Sequence, residues 1–186
     1  LKGKRVLVMG CGPIGALTII AAKTKGAEEI VAVDILDAVL KKAKEIGADQ
    51  TINYERDDLR SVLREIAPAG IDVVVDPVGG AYAEAALRGT KWGGRFVTVG
   101  FASGEIPRIP LNLVLLKGVI VKGFEIRTFG GHAPEEAARD RAELNELFAS
   151  GTLRPHIGAT FPLDRTADAL RFVADRKATG KVLIVP

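Results

Sequence analysis

Three glycines and one aspartate give the clearest chemical signal in the sequence. Gly10, Gly12 and Gly15 follow the spacing G-x-G-x-x-G where a strand pattern gives way to a helix pattern, and Asp34 ends the next strand pattern. Glycines so placed permit a tight turn, close approach of the backbone to a pyrophosphate, and close helix–strand packing. The helix N-terminus offers free N–H groups to phosphates, and a carboxylate can accept hydrogen bonds from a ribose. The combination predicts a dinucleotide site.

Each residue of this kind also has a purely structural interpretation. The glycines could serve packing alone, and Asp34 could be the first solvated residue after a strand. Cys11, between two of the glycines, is predicted to be a small filler because the sequence supplies it with no base. Asp76 and Pro77 could simply shape a turn after a later strand. Ligands of open α/β sheets nevertheless bind outside the carboxyl ends of strands, which favours the binding interpretation for all of these positions.

The apolar periodicity alternates between strand-type runs and helix-type spacing along most of the chain. The strand-type runs are rich in Val and Ile with little polar alternation, which is typical of strands covered by helices on both faces. Six such runs are predicted, at residues 4–10, 29–34, 50–54, 71–78, 94–100 and 119–126. The fold class is therefore α/β, a doubly wound parallel sheet of about six strands (Rossmann fold).

Helix-type spacing fills the segments between and after these runs. Pro13 is expected to open the first helix and Asp37 to cap the second. Further helices are predicted near residues 57–66, 81–87, 111–117 and 134–150. Residues 152–186 read as strand, helix and strand, a short α+β extension that need not join the main sheet. We therefore expect a domain at 1–151 and a C-terminal segment at 152–186.

Composition narrows the class of protein further. The 26 basic and 23 acidic residues are interspersed and leave a net charge of +3, which argues against a nucleic-acid partner. One cysteine and two histidines exclude a disulfide framework and a zinc-ligand set within this chain, so we expect a cytoplasmic protein without zinc here. The uncharged run at residues 6–22 is interrupted by glycines and a proline, which argues against a membrane helix.

Two groups of motifs carry a resemblance that covers essentially the whole chain. VLVMGCGPIGALTIIAAKTKGA, VAVD and KEIGAD resemble the coenzyme domain of zinc-type alcohol dehydrogenases in the medium-chain dehydrogenase/reductase superfamily. TINYERDDL, VVVDPVGG, FASGEIP and DRKATGKV are more similar to the zinc-free quinone oxidoreductase branch. The resemblance implies an NAD(P)-dependent oxidoreductase, with hydride transfer between a nicotinamide and a quinone, enone, aldehyde, ketone or alcohol.

The resemblance also implies which residues hold the cofactor. Those expected at the pyrophosphate are Gly10, Gly12, Pro13, Ile14 and Gly15. Asp34 is expected at the adenosine ribose, Tyr54 at the adenosine end, and the loops Asp76-Pro77-Val78 and Gly100-Phe101 beside the nicotinamide. The quinone reductase branch generally prefers NADPH, and Val39 stands where zinc-type relatives often carry a base. Because the carboxylate of Asp34 would repel a ribose 2′-phosphate, we expect NAD(H) over NADP(H).

Members of this superfamily begin with a catalytic domain that holds the substrate pocket and any zinc ligands. No such domain precedes Leu1 in this chain, so we expect a cofactor half that binds nucleotide but turns over substrate poorly. The segment 152–186 would pack on that absent domain. No catalytic acid or base is assigned, and His132 and His156 are expected at the surface or in loops.

Three further expectations complete the sequence-based interpretation. The strand at 119–126 should lie at a sheet edge and pair with a twin in a homodimer, as in related enzymes. An S-adenosylmethionine-dependent methyltransferase is an alternative, since it shares the glycine turn, the acid and a strand such as Gly93-Gly94-Arg95. A module that senses NAD(H) without chemistry is the other alternative.

Overall fold

The computed structural model describes residues 1–175, 177–178 and 180–186. These residues form two compact units, Leu1–Thr128 and Phe129–Pro186. This division lies upstream of the boundary predicted at 151/152, because the helix at residues 134–149 groups with the second unit. The predicted boundary concerns packing on a domain outside this chain and stays a prediction.

The first unit is built around one six-stranded parallel sheet. Its strands are β1 (Arg5–Met9), β2 (Glu29–Asp34), β3 (Gln50–Asn53), β4 (Ile71–Asp76), β5 (Thr90–Thr98) and β6 (Ile120–Gly123). Its helices are α1 (Pro13–Thr24), α2 (Asp37–Glu45), α3 (Leu59–Ile66), α4 (Ala83–Gly89) and α5 (Leu111–Lys117), followed by α6 (Ile126–His132), which crosses into the second unit. The strand order β3-β2-β1-β4-β5-β6 confirms the predicted doubly wound fold.

Buried apolar side chains cover both faces of this sheet. Along β1, Leu7 and Met9 join one buried cluster while Val6 and Val8 join another, as the period of two along a strand requires. Because every strand is parallel, the carboxyl ends all meet at one edge of the sheet. The strand order reverses between β1 and β4, so the turns after these two strands border the crevice where ligands of such sheets bind.

The structure corrects several predicted element bounds. The edge strand predicted at 119–126 is limited to Ile120–Gly123, and α6, for which the sequence predicts no element, begins at Ile126. Strand β5 begins at Thr90, earlier than the predicted residue 94, with an irregular register against β4 that absorbs the extra residues. Asp37 does not cap α2; it lies within the first helical turn and its carboxylate accepts from Asn53 and Arg56 instead.

The second unit contains a separate two-stranded parallel sheet. Strands β7 (Ile157–Pro162) and β8 (Lys181–Val185) flank α8 (Thr166–Ala174), and α7 (Pro134–Ala149) precedes them. The predicted strand, helix and strand are therefore present and lie outside the main sheet. Arg176 and Thr179 of the DRKATGKV motif lie outside the described residues.

Candidate dinucleotide-binding site

The turn between β1 and α1 has room for no side chain at two of its three motif glycines. Gly10 has φ +75°, and a Cβ built on it would lie 2.5 Å from Cγ2 of Val78. A Cβ on Gly15 would overlap the carbonyl oxygen of Gly10. A Cβ on Gly12, in contrast, meets no atom within 4 Å. Gly10 and Gly15 are thus needed by the fold itself, whereas Gly12 keeps open space beside the turn.

Helix α1 begins at this turn with unused hydrogen-bond donors. Pro13 is its first residue and no side chain caps its N-terminus. Ala16 makes the first helical bond, to the carbonyl of Gly12 (2.8 Å), and the amides of Ile14 and Gly15 donate to no acceptor in the described part of the chain. Free amides and the positive end of the helix dipole together favour an anion at this point.

Asp34 ties the end of β2 to the glycine turn. Its Oδ2 accepts from the Cys11 amide (2.8 Å), and its Oδ1 accepts from the amides of Ile35 (2.8 Å) and Leu36 (3.0 Å). It is therefore a partly buried structural acceptor and not merely the first solvated residue after a strand. A carboxylate has about four lone-pair sites, so three bonds leave capacity for a further donor such as a ribose hydroxyl.

Cys11 is a packing residue in this turn. It is buried, and its Sγ donates weakly to the carbonyl oxygen of Val33 (3.6 Å). Burial, and secondarily the negative charge of Asp34, raises the pKa of the thiol to about 12. Because the thiolate is the reactive form, this cysteine is unreactive at neutral pH, as the sequence predicts.

Tyr54 lies close to the ends of several strands. Its ring centroid is 4.3 Å from that of Tyr82, which precedes α4. Burial raises the pKa of its hydroxyl, and the negative charges of Asp34 and Asp76 add to the effect. Tyr54 therefore shares its surroundings with the two acidic residues that close β2 and β4.

Asn53, which sequence reasoning missed, fixes the loop that follows Asp34. Its amide group donates to the carbonyl of Ile35 (3.0 Å) and to Oδ1 of Asp37 (2.9 Å), while its own oxygen accepts from the amide of Glu55 (3.1 Å). These bonds lower the pKa of Asp37, chiefly through the Asn53 contact. A buried amide at a strand end was the available signal, since Asn is depleted in strand interiors and retained where it bonds to backbone.

Asp76 shapes the turn after β4 and leaves one oxygen unpaired. Its Oδ1 accepts from the amides of Val78 and Gly79, both at 2.9 Å. Within the described residues, its Oδ2 has no hydrogen-bond partner, and neither has the buried Oγ1 of Thr98. Asp76 and Thr98 are register partners on β4 and β5, so both unpaired atoms lie at the carboxyl edge of the sheet. Burial raises the pKa of Asp76, only partly offset by the two amides.

The loops after β4 and β5 are joined by backbone hydrogen bonds. Ala102 donates to Pro77 (3.1 Å), Ser103 to Val78 (3.0 Å) and Gly80 to Glu105 (3.0 Å). The two loops therefore form one structure.

Side-chain packing strengthens this joint between the loops. A Cβ on Gly79 would lie 2.8 Å from the ring of Phe101, and one on Gly100 would lie 3.4 Å from the carbonyl oxygen of Pro77. The predicted residues Gly100 and Phe101 are thus brought to the same place as Pro77 and Val78.

A cleft of about 140 Å³ lies between this wall and the glycine turn. Its lining residues are Gly10, Gly12, Pro13, Ile14, Gly15, Pro77, Val78 and Ala102. Asp34, Tyr54, Asp76, Gly100 and Phe101 adjoin the strand ends around it and are not among the lining residues. His132 and His156 are exposed and lie in the second unit. Among the described residues, no group of three or more His, Cys, Asp or Glu side chains could hold a metal ion.

An open parallel sheet with a glycine turn after β1, an acid closing β2 and a crevice at the switch point defines a dinucleotide-binding domain of the Rossmann class. Comparison with known families carries the assignment further. The chain belongs to the zinc-binding dehydrogenase family, whose sequence profile matches residues 13–143. This confirms the resemblance to the medium-chain dehydrogenase/reductase superfamily.

Individual relatives agree with this assignment. The quinone oxidoreductase-like protein 2 homolog of Nematostella vectensis is 35% identical over 98% of this chain and 50% of its own length. An NAD-dependent alcohol dehydrogenase structure superposes with a TM-score of 0.79 at 30% identity, covering all of this chain and 52% of that one. A mycobacterial structure complexed with NADPH gives a TM-score of 0.82 at 25% identity, covering all of this chain and 57% of that one. The chain spans about half the length of the curated relatives it matches.

The unpaired oxygen of Asp76 generates a stability prediction. Asp76→Asn keeps one acceptor for the Val78 and Gly79 amides and replaces the unpaired oxygen by a donor. Because burial raises the pKa of Asp76 above its ordinary 3.8, the parent protein loses stability as the pH rises through this raised value. We expect Asp76→Asn to match or exceed the parent in free energy of unfolding at pH 7, and its relative advantage to shrink toward pH 4.

Urea unfolding between pH 4 and 8 measures this difference. Asp76→Leu is the matched control, since it leaves both amides without an acceptor and should cost about 2 kcal/mol or more. If the asparagine variant were destabilised as much as the leucine variant at pH 7, the ionised carboxylate would have a stabilising partner and the interpretation would be wrong.

Proposed function

We propose that this chain is the NAD(H)-binding half of an oxidoreductase whose substrate is held by an N-terminal domain outside the chain. The bound nicotinamide would accept or donate the hydride, with a quinone, enone, aldehyde, ketone or alcohol as the substrate. The observation that carries the proposal is the pair of free amides at Ile14 and Gly15, two residues that line the cleft together with Gly12. These donors fit a pyrophosphate, and no side chain caps the N-terminus of α1 in its place.

Each part of the site has a separate task in this proposal. The start of α1 binds the pyrophosphate through backbone amides and its dipole. Asp34 accepts from the adenosine ribose with its remaining capacity, while Tyr54 lies toward the adenosine end. The joined loops carrying Val78 and Phe101 border the nicotinamide and exclude water from one side. No residue of this chain is assigned as an acid or base, since both histidines are exposed and belong to the second unit.

The preference for NAD(H) rests on the charge at Asp34. A carboxylate beside the ribose repels a 2′-phosphate, and Arg56, a cation from the turn after β3, is already bound to Asp37 (2.7 Å). The structural neighbours do not decide the matter, because one is described as NAD-dependent and another is complexed with NADPH.

Two other functions are weighed against this proposal. A methyltransferase shares the glycine turn, but the family assignment favours the oxidoreductase. A module that senses NAD(H) without chemistry uses the same site and differs only in lacking turnover. Adding the upstream domain to the chain distinguishes the oxidoreductase from the sensing module, because only the oxidoreductase should then oxidise NADH with a quinone or enone.

Charge distribution and cysteine content bear on the partners and the cellular location of the protein. Interspersed charges support a protein without a nucleic-acid partner, and a single buried thiol supports a cytoplasmic location. Within the described residues, no helix has the length and apolar character needed to cross a bilayer.

The glycine turn provides the main test of function. Gly12→Ala adds a methyl group in open space at an ordinary negative φ. The loss of a good N-cap residue opposes the gain from a stiffer unfolded chain, so the free energy of unfolding should change by about 1 kcal/mol or less. The methyl group should obstruct the pyrophosphate and weaken NADH binding at least about tenfold, or 1.4 kcal/mol. Isothermal titration calorimetry with NADH measures the affinity.

Gly15→Ala is the matched variant for this test. Its Cβ overlaps the carbonyl of Gly10, so it should lose stability and binding together. NADH binding to Gly12→Ala with unchanged affinity would contradict the site.

Asp34 provides the test of cofactor choice. Asp34→Asn keeps an acceptor oxygen but removes the charge, so affinity for NADPH relative to NADH should rise about tenfold. Glu45→Gln, at the other end of α2, removes an equal charge away from the turn and should leave the ratio unchanged. The ratio is the readout, because Asp34 also holds three backbone amides and its loss affects both cofactors. An unchanged ratio in Asp34→Asn would contradict the proposed role of the carboxylate.

The edge strand β6 provides a test of assembly. It lies at one end of the sheet and exposes Ile120 and Val121 by 52% and 44%. Pairing of two β6 edges across a two-fold axis would cover these side chains and give a homodimer. Sedimentation velocity should therefore show dimers at micromolar concentration and monomers for Ile120→Lys. Ile106→Lys, at an isoleucine that is 70% exposed in a loop, is the control that should stay dimeric. Monomeric parent protein at high micromolar concentration would rule out this contact.

A further inference from the structure

A second, larger pocket lies at the amino ends of the strands, whereas the glycine turn lies at their carboxyl ends. It has a volume of about 390 Å³ and is bordered by α3, α4 and the last residue of α5. The backbone segments that line it, 67–70 and 89–92, lead into β4 and β5. Since the strands are parallel, these amino ends are separated from the carboxyl ends by the length of the strands. The pocket is therefore independent of the proposed cofactor site.

Positive charge dominates this pocket. None of its lining residues is acidic. Five cationic side chains from four elements line it, namely Arg60, Arg64, Arg88, Lys91 and Lys117. Arg88 is paired with Glu84 (2.7 Å) and Lys91 with Asp72, both outside the lining. Arg60 and Arg64, one turn apart on α3, make no ion pair with any residue that the structure describes. Arg60 and Arg64 thus keep guanidinium donors that no ion pair occupies, although the carboxylate of Asp58, just before α3, lies within electrostatic reach of both.

Lys117 shows how the cations affect one another. Its Nζ donates to the carbonyl oxygen of Thr90 (2.5 Å) at the start of β5. Burial lowers the pKa of this ammonium group, and the positive charge of Arg88 lowers it further. A bound anion would relieve this repulsion, whereas no side chain of the lining can.

An exposed indole lies beside the cations. Trp92 is 78% exposed, although it is one of the largest apolar side chains in the chain. Its ring lies near Gly118, where an added Cβ would be 3.4 Å from the indole. Single exposed apolar residues and charged helix faces are each ordinary on protein surfaces. A concave pocket that combines unpaired arginines with an accessible aromatic ring is the arrangement that binds phosphate and base together.

We propose that this pocket binds a nucleotide, with its phosphates on Arg60, Arg64 and Lys117 and its base against Trp92. The guanidinium groups supply paired N–H donors that match phosphate oxygens, and Lys117 supplies a point charge. The indole supplies a stacking surface that any purine fits. The domain would then bind a second nucleotide, separate from the cofactor proposed at the glycine turn.

Trp92 is the only tryptophan in the sequence, so its fluorescence reports on this pocket alone. The experiment titrates the chain with ADP at constant ionic strength set by KCl and records indole emission. A saturable quench is expected. Inorganic pyrophosphate should displace ADP and reverse the quench, and adenosine should bind at least about tenfold more weakly because it lacks the charge-assisted contacts.

Matched variants locate the binding. Arg60→Ser combined with Arg64→Ser should weaken ADP at least about tenfold. Lys41→Ser combined with Lys44→Ser removes equal charge from the exposed face of α2 and should leave the affinity unchanged. Gly12→Ala, which impairs the cofactor site, should also leave the ADP quench unchanged.

Several results would overturn the proposal. These are the absence of a saturable quench, equal quenching by adenosine, and an equal loss in both double variants, which would indicate general screening of surface charge. A quench that disappears in Gly12→Ala but persists in the arginine variant would place the nucleotide at the glycine turn instead. NADH titration of the parent protein tests the proposed function separately, so the two proposals fail independently.

Discussion

The hydrogen bond from the amide of Cys11 to the carboxylate of Asp34 is the interaction on which the candidate cofactor site depends. It joins the end of β2 to the turn after β1, two points that are distant in sequence. The same carboxylate also orders the first two residues after β2. One side chain therefore fixes both the glycine turn and the start of the loop after β2, where the proposed site would hold a diphosphate and a ribose. Because this carboxylate also holds three backbone amides, its substitution should affect more than cofactor choice.

The opposite wall of the cleft depends on Asp76 in a comparable way. Its carboxyl group holds the Val78 and Gly79 amides, and Val78 then occupies the volume that a side chain at Gly10 would need. The glycine at position 10 is thus explained by a residue from another strand. The fold accepts an unpaired buried oxygen in exchange for this placement, which is a cost that structures usually avoid.

Local signals predicted most of the fold from sequence. The β2 strand and α5 were located at their observed bounds, because a run of apolar residues ended at a charge, a proline or a glycine in each case. Helix α6 was missed because two adjacent glycines favour a loop unless tertiary structure overrides them. The zinc-binding dehydrogenase family match likewise confirms the resemblance carried by the glycine motif and FASGEIP.

The remaining features depend on contacts between distant residues. Asn53 and Thr98 carry no motif, and their importance follows from the partners that the sheet brings beside them. The basic pocket draws its residues from α3, α4, β5 and α5, so no local window of sequence contains it. The binding roles of the predicted site residues stay predictions, although the geometry around Gly10, Gly12 and Gly15 is the one that such roles require.

The backbone bonds between the loops after β4 and β5 have a dynamic consequence. Gly80, Ala102 and Ser103 donate across from one loop to the other, so neither loop can open without breaking bonds to its neighbour. Their amide protons should therefore exchange with solvent as one cooperative group, at a rate set by how often the two loops separate. The wall that these two loops form therefore moves as one unit and not as two independent loops.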